Sequence, residues 1–96
     1  MTDEVQVEDR PGEDRFVVTV DGHEAELVYQ LRGDRYALVH TGVPSELEGR
    51  GIGSALVRAA VDRALAEDLT IVPSCPFVAR WLERHPDSPV KVAGRG

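Results

Sequence analysis

Ninety-six residues with 42% hydrophobic and 29% charged side chains make one ordinary globular domain. A net charge of −6 argues against nucleic acid as a partner, and no apolar run is long enough to span a membrane or form a secretory h-region. A single cysteine forms no internal disulfide, so a cytoplasmic protein with a reduced thiol is expected.

Val5 and Val7 alternate with Gln6 and Glu8, which predicts a short strand, and Pro11-Gly12 predicts a turn within Arg10 to Asp14. Arg15 to Val20 is β-branched and aromatic, a strand. Asp21-Gly22 marks a hairpin. His23 to Leu31 is the return strand, with Ala25, Leu27, Tyr29 and Leu31 on one face. After Gly33-Asp34, a fourth strand runs from Arg35 to His40. Strict alternation puts Tyr36, Leu38 and His40 on one side and Ala37 and Val39 on the other.

The period then changes. Gly51 to Glu67 reads as a helix whose apolar arc is Ile52, Leu56, Val57, Ala60, Val61, Ala64 and Leu65, with Arg63 and Glu67 at its edge reaching solvent. Leu69 to Val72 is a short apolar strand. Phe77 to Arg84 forms a second helix with Pro76 at its first position and Phe77, Val78, Trp81 and Leu82 buried; His85-Pro86 ends it. Asp87 to Gly96 has no periodicity. The fold class is α/β in the α+β sense: an antiparallel meander, a crossover helix, a parallel strand and a short C-terminal helix. Residues 10–86 are the core and 87–96 a polar tail of a single domain, 1–96.

A strand, helix and strand of this length imply a crossover with the two strands parallel, and ligands of such units bind beyond the carboxyl ends of the strands. His40 and Thr41, the glycine-rich turn and Cys75 all fall at that edge. Unpaired amides at a helix start carry partial positive charge and attract phosphate, and Gly49, Gly51 and Gly53 let the oxygens approach. The plainer alternative is a glycine-rich helix start that binds nothing. A P-loop would need a lysine where Gly53 precedes Ser54. A dinucleotide fold would need a glycine at Leu56 and an acid ending the next strand, which instead reads Val72-Pro73-Ser74-Cys75.

Glu48-Gly49-Arg50-Gly51-Ile52-Gly53 resembles the acyl-CoA-binding turn of the GNAT superfamily of N-acyltransferases. That pattern is Gln or Arg, two residues, Gly, one residue, then Gly or Ala; Glu48 stands in the Gln/Arg place. Leu38-Val39-His40-Thr41, Val43-Pro44 and the run from Val72 to Val78 are similar to the minimal YjdJ-type branch, across about Arg15 to Pro86. One cysteine and three scattered histidines give no zinc spacing, so no metal is expected. The resemblance implies a GNAT-like fold and acetyl-CoA as co-substrate. It implies pantetheine running between the parallel strands and pairing with backbone from Val39 through His40, Thr41 and Gly42 to Val43. It implies pyrophosphate on Glu48, Gly49, Arg50, Gly51, Ile52, Gly53 and Ser54. It also implies Cys75 and His40 as the catalytic pair, with an open acceptor side.

On chemistry alone, a cysteine at a helix start is poised as a thiolate, either attacking the thioester or protonating the departing thiolate. Its plainer role is a small residue packed beneath the helix. His40 suits a general base near neutral pH, and equally a strand histidine bonded to backbone. The expected function is an acetyl-CoA-dependent N-acetyltransferase acting on an amine presented by a cationic partner, because the chain is acidic. The alternatives are a CoA-binding module with little turnover and a structural protein. A monomer or weak dimer is expected, with Arg15 to Val20 as an exposed edge.

Overall fold

The computed structural model describes residues 5–94. They form a six-stranded sheet whose strand order equals chain order. The strands are β1 (Glu8–Arg10), β2 (Arg15–Val20), β3 (His23–Arg32), β4 (Arg35–Gly42), β5 (Thr70–Pro73) and β6 (Lys91–Val92). Helix α1 (Ile52–Glu67) crosses from β4 to β5, and α2 (Pro76–Arg84) follows β5. Pairing is antiparallel from β1 to β4 and parallel from β4 to β6. The mixed α/β class is the one expected, and no helix of the described residues is long and apolar enough to cross a membrane.

Both helices cover one side of the sheet. α1 packs on β2 through β5, and α2 packs on β4, β5 and α1. One apolar cluster fills the space between, with Leu27, Tyr29, Tyr36, Leu38 and Ile71 from the sheet and Leu56, Val57, Ala60, Val78 and Leu82 from the helices. Asp21 and Gly22 both have positive φ, which matches the twist of the β2–β3 hairpin.

Several expectations shift. The first strand lies at Glu8–Arg10, starting three residues later than the Val5 at which the alternation begins, while Val5 and Val7 pack against the core. β1 covers Arg15 to Val17, so β2 is not an edge along that half. Leu65 is exposed and Arg63 is largely covered, the reverse of their expected places. The Arg63 guanidinium lies 5.2 Å from the Tyr29 ring centre and donates to the Tyr29 hydroxyl at 2.9 Å and to Asp9 at 3.0 Å. The expected tail carries β6, and Val90 is buried beside it. Residues 95 and 96 lie outside the described residues.

One irregularity positions the site. Tyr29 stands opposite Leu38 and Val28 opposite His40, so Val39 is an extra residue in β4, a bulge. Alternation reverses after it. Thr41, opposite the buried Leu27, faces the helices, and His40, opposite Val28, faces the uncovered side. The expectation of His40 on the Tyr36–Leu38 face is thereby corrected.

Candidate active site

β4 and β5 pair as far as Leu38 and Pro73, and the Cys75 amide closes the ladder by donating to the Leu38 carbonyl at 3.0 Å. The proline offers no N–H, and the bulge turns β4 aside at the same level. No residue of β5 pairs with Val39 to Gly42. The two strands therefore part, leaving a backbone edge of β4 next to the start of α2.

The turn into α1 is shaped by its glycines. Gly49 has φ +81° and Gly51 φ +73°, a left-handed region where a Cβ is strained. Leu47, fully buried, pegs this turn to the core. No side chain caps α1, and no acid stands in its first turn, so its amides and positive dipole end face outward. Gly53 has a different role from the expected one. A Cβ there would lie 2.7 Å from the Phe77 ring, so its smallness seats that ring against α1.

A cleft of about 410 Å³ lies between these parts. Of the residues expected to hold the cofactor, Thr41, Val43, Glu48, Gly49, Gly51, Ile52, Gly53 and Ser54 line it. Val39, Gly42 and Arg50 do not; Arg50 instead approaches Asp21 at 3.9 Å. Leu47 and Phe77 complete the wall. Both escaped the sequence reading, which assigned Phe77 to the core; it is 43% exposed. The available signal was its place two residues beyond Cys75, in the first turn of α2.

Cys75 is the residue preceding α2 and is buried, 6% exposed. Its thiol donates to the Thr41 hydroxyl at 3.5 Å. Burial works to raise its pKa, but the Thr41 hydroxyl and the backbone of Val78, Phe77 and Thr41 outweigh it, and the thiol lies below its ordinary range. The helix start acts here with no side-chain cap hydrogen bond. His40 is not brought to Cys75. Its imidazole is exposed on the other side of the sheet, where Nε2 lies 4.0 Å from Glu26 Oε2.

A second hollow, of about 470 Å³, opens on that uncovered side. Arg15, Glu24, Glu26, Gly42, Val43 and Pro44 line it. Arg15 bridges Glu24 at 3.2 Å and Glu26 at 3.1 Å. Val43 belongs to both walls, so the end of β4 divides the glycine-turn cleft from this carboxylate-bearing hollow.

Residues 15–91 match the family model of GCN5-related N-acetyl-transferases. The chain is 35% identical to Protein NATD1 of Gallus gallus over 85 residues, 85% of this chain and 77% of that one. It is 36% identical to Protein NATD1 of Homo sapiens over 75 residues, 75% of this chain and 66% of the relative. Among solved structures, a GCN5-like protein from Staphylococcus aureus superposes with a TM-score of 0.74 at 29% identity, covering 96% of this chain and 91% of that one. Sheet, helices and matched sequence agree, and the chain belongs to the family of GCN5-related N-acetyl-transferases.

Proposed function

We propose that the protein is an acetyl-CoA-dependent N-acetyltransferase of the minimal YjdJ-type branch, with acetyl-CoA in the glycine-turn cleft and Cys75 as its reacting thiol. The observation that carries this reading is the parting of β4 and β5 beyond Leu38 and Pro73. It leaves a strand edge at Val39 to Gly42 for the pantetheine amides, and that edge includes Thr41, the neighbour of Cys75. Pyrophosphate suits the amides from Gly49 to Ser54 because they lack a cap and an acid.

The chemistry follows from the thiol. A lowered pKa favours a nucleophile over a proton donor. The Cys75 thiolate attacks the acetyl carbonyl, the bond from that carbonyl to the CoA sulfur breaks, and the CoA thiolate leaves. A neutral amine then attacks the acetyl-cysteine, its proton passes to a base, and the Cys75 thiolate is restored. Water in the cleft takes that proton, because His40 stands on the other side of the sheet beside Glu26. Cys75 and His40 therefore do not form a contact pair. The acceptor is a primary amine on a cationic partner, drawn by the net charge of −6.

Cys75→Ala is expected to bind acetyl-CoA and lose on the order of a hundredfold in turnover. Mass spectrometry of the wild type after acetyl-CoA treatment is expected to find an acetyl group on Cys75. Undiminished turnover in the alanine variant sinks the reading. Polyamines and basic peptides are expected to outperform neutral amines at low salt and to lose that advantage as the Debye length shrinks. The burial of Cys75 favours a second reading, a CoA-binding module without turnover. Calorimetric binding with no product from any amine selects it.

A further inference from the structure

We infer that Thr41 is a positioning residue for Cys75, holding the reactive sulfur through its hydroxyl at the wall of the acyl cleft. The inference rests on the acetyl-transfer reading and adds to it the partner of the thiol.

Three observations meet at this residue. The Val39 bulge reverses the alternation of β4, which turns Thr41 toward the helices and His40 away from them. The Thr41 hydroxyl lies 3.5 Å from the Cys75 sulfur, between residues 34 apart in sequence. Thr41 lines the cleft, and the buried Cys75 is not among its lining residues. The hydroxyl therefore joins the sulfur to the cleft wall.

A hydroxyl suits both states of the thiol. It accepts from S–H in the neutral form. When the proton leaves to solvent, it rotates and donates to the thiolate, which offsets part of the cost of a buried charge. The main influences on the sulfur come from burial, from Thr41 on β4, and from the backbone of Val78 and Phe77 on α2. None of these is a charged side chain, so the hydroxyl is the polar side-chain influence that substitution can remove. His40, 61% exposed and beside Glu26, makes no contact of this kind.

The test needs neither acetyl-CoA nor an acceptor. Cys75 is the only cysteine, so thiolate ultraviolet absorbance reports it alone, with Cys75→Ala as the blank. The buried tyrosines do not interfere: Tyr29 is pushed up to about 12 and Tyr36 higher still, both first by burial. Thr41→Val keeps the shape and removes the hydroxyl; Thr41→Ser keeps the hydroxyl. The valine variant is expected to shift the thiolate midpoint upward and to slow alkylation by iodoacetamide at neutral pH, with recovery at alkaline pH. The serine variant is expected to track the wild type. Thermal melts check that each variant is folded, and Thr41→Ala carries the same test if the valine variant does not fold. A midpoint in Thr41→Val that coincides with the wild type overturns the inference, as does a serine variant that behaves like valine. A shifted midpoint in a protein that acetylates no amine leaves the Thr41 contact standing and sinks only the acetyl-transfer reading.

Discussion

Cys75 is held in a balance that pH can read. Its folded-state pKa is lowered, so between that value and the ordinary thiol range the native chain carries a thiolate while the unfolded chain still holds its proton. The unfolded state then binds more protons, and stability rises with pH through that window. The gain is present above the unfolded pKa and disappears as pH falls through the folded one. Tyr29 acts in the opposite sense. Burial and the Asp9 hydrogen bond raise its pKa to about 12, so the native state keeps a proton that the unfolded chain loses near the ordinary tyrosine value. Its contribution is complete below that value and fades above it. Urea unfolding across alkaline pH is expected to show stability rising and then falling. In Cys75→Ala the rise is expected to vanish while the fall remains; an unchanged profile contradicts the lowered thiol.

At the scale of elements, the start of α1 offers a test that separates binding from folding. Gly51→Val is a poor probe, because φ +73° strains any side chain whether or not a ligand binds. Ser54→Asp is better. Ser54 lines the cleft in a first turn that holds no acid. An aspartate there should stabilise the helix by about 0.3–1 kcal/mol through the dipole. The same charge should repel a pyrophosphate. A melt at or above wild type with at least tenfold weaker acetyl-CoA binding is the expected pair of results. Unchanged affinity would place the phosphates elsewhere.

Legibility in the sequence followed the physics of each element. The β2–β3 hairpin was readable because Asp21-Gly22 has the turn chemistry, and α1 because sixteen residues give several turns of periodicity. The two residues of β6 are too short for any period to emerge. The bulge left no compositional mark, since Leu38-Val39-His40 alternates as well as any strand; only the cross-strand partners of β3 reveal the slip. The glycine turn and Cys75 were therefore identifiable, but Thr41 as the sulfur's neighbour was not. Phe77 was misplaced because its helical spacing matches Val78 and Trp81, whereas the space at Gly53 holds its ring at the cleft.

At the scale of the whole molecule, the helices crowd one side of the sheet and leave the other without a helix, though Val17 on it is buried. The glycine-turn cleft and the carboxylate-bearing hollow thereby reach solvent on different sides of the same strand end. A small domain should feel ligand binding strongly. Acetyl-CoA at a hundred times its Kd adds about 2.7 kcal/mol. For a domain of this size, that corresponds to a rise in Tm on the order of 10 °C. A melt indifferent to saturating acetyl-CoA contradicts the cleft assignment.

The chain-order arrangement of the strands also bears on how the site comes into being. Each strand pairs with its neighbour in sequence, so the β1–β4 meander forms through short loop closures and low contact order. The β4–β5 pairing is different, because it closes a loop that contains all of α1. Thr41 lies before that closure and Cys75 after it. The sulfur therefore acquires its hydroxyl neighbour only when the crossover is complete. A chain in which the crossover is open carries an ordinary thiol, and the reactivity of the single cysteine becomes a reporter of that closure.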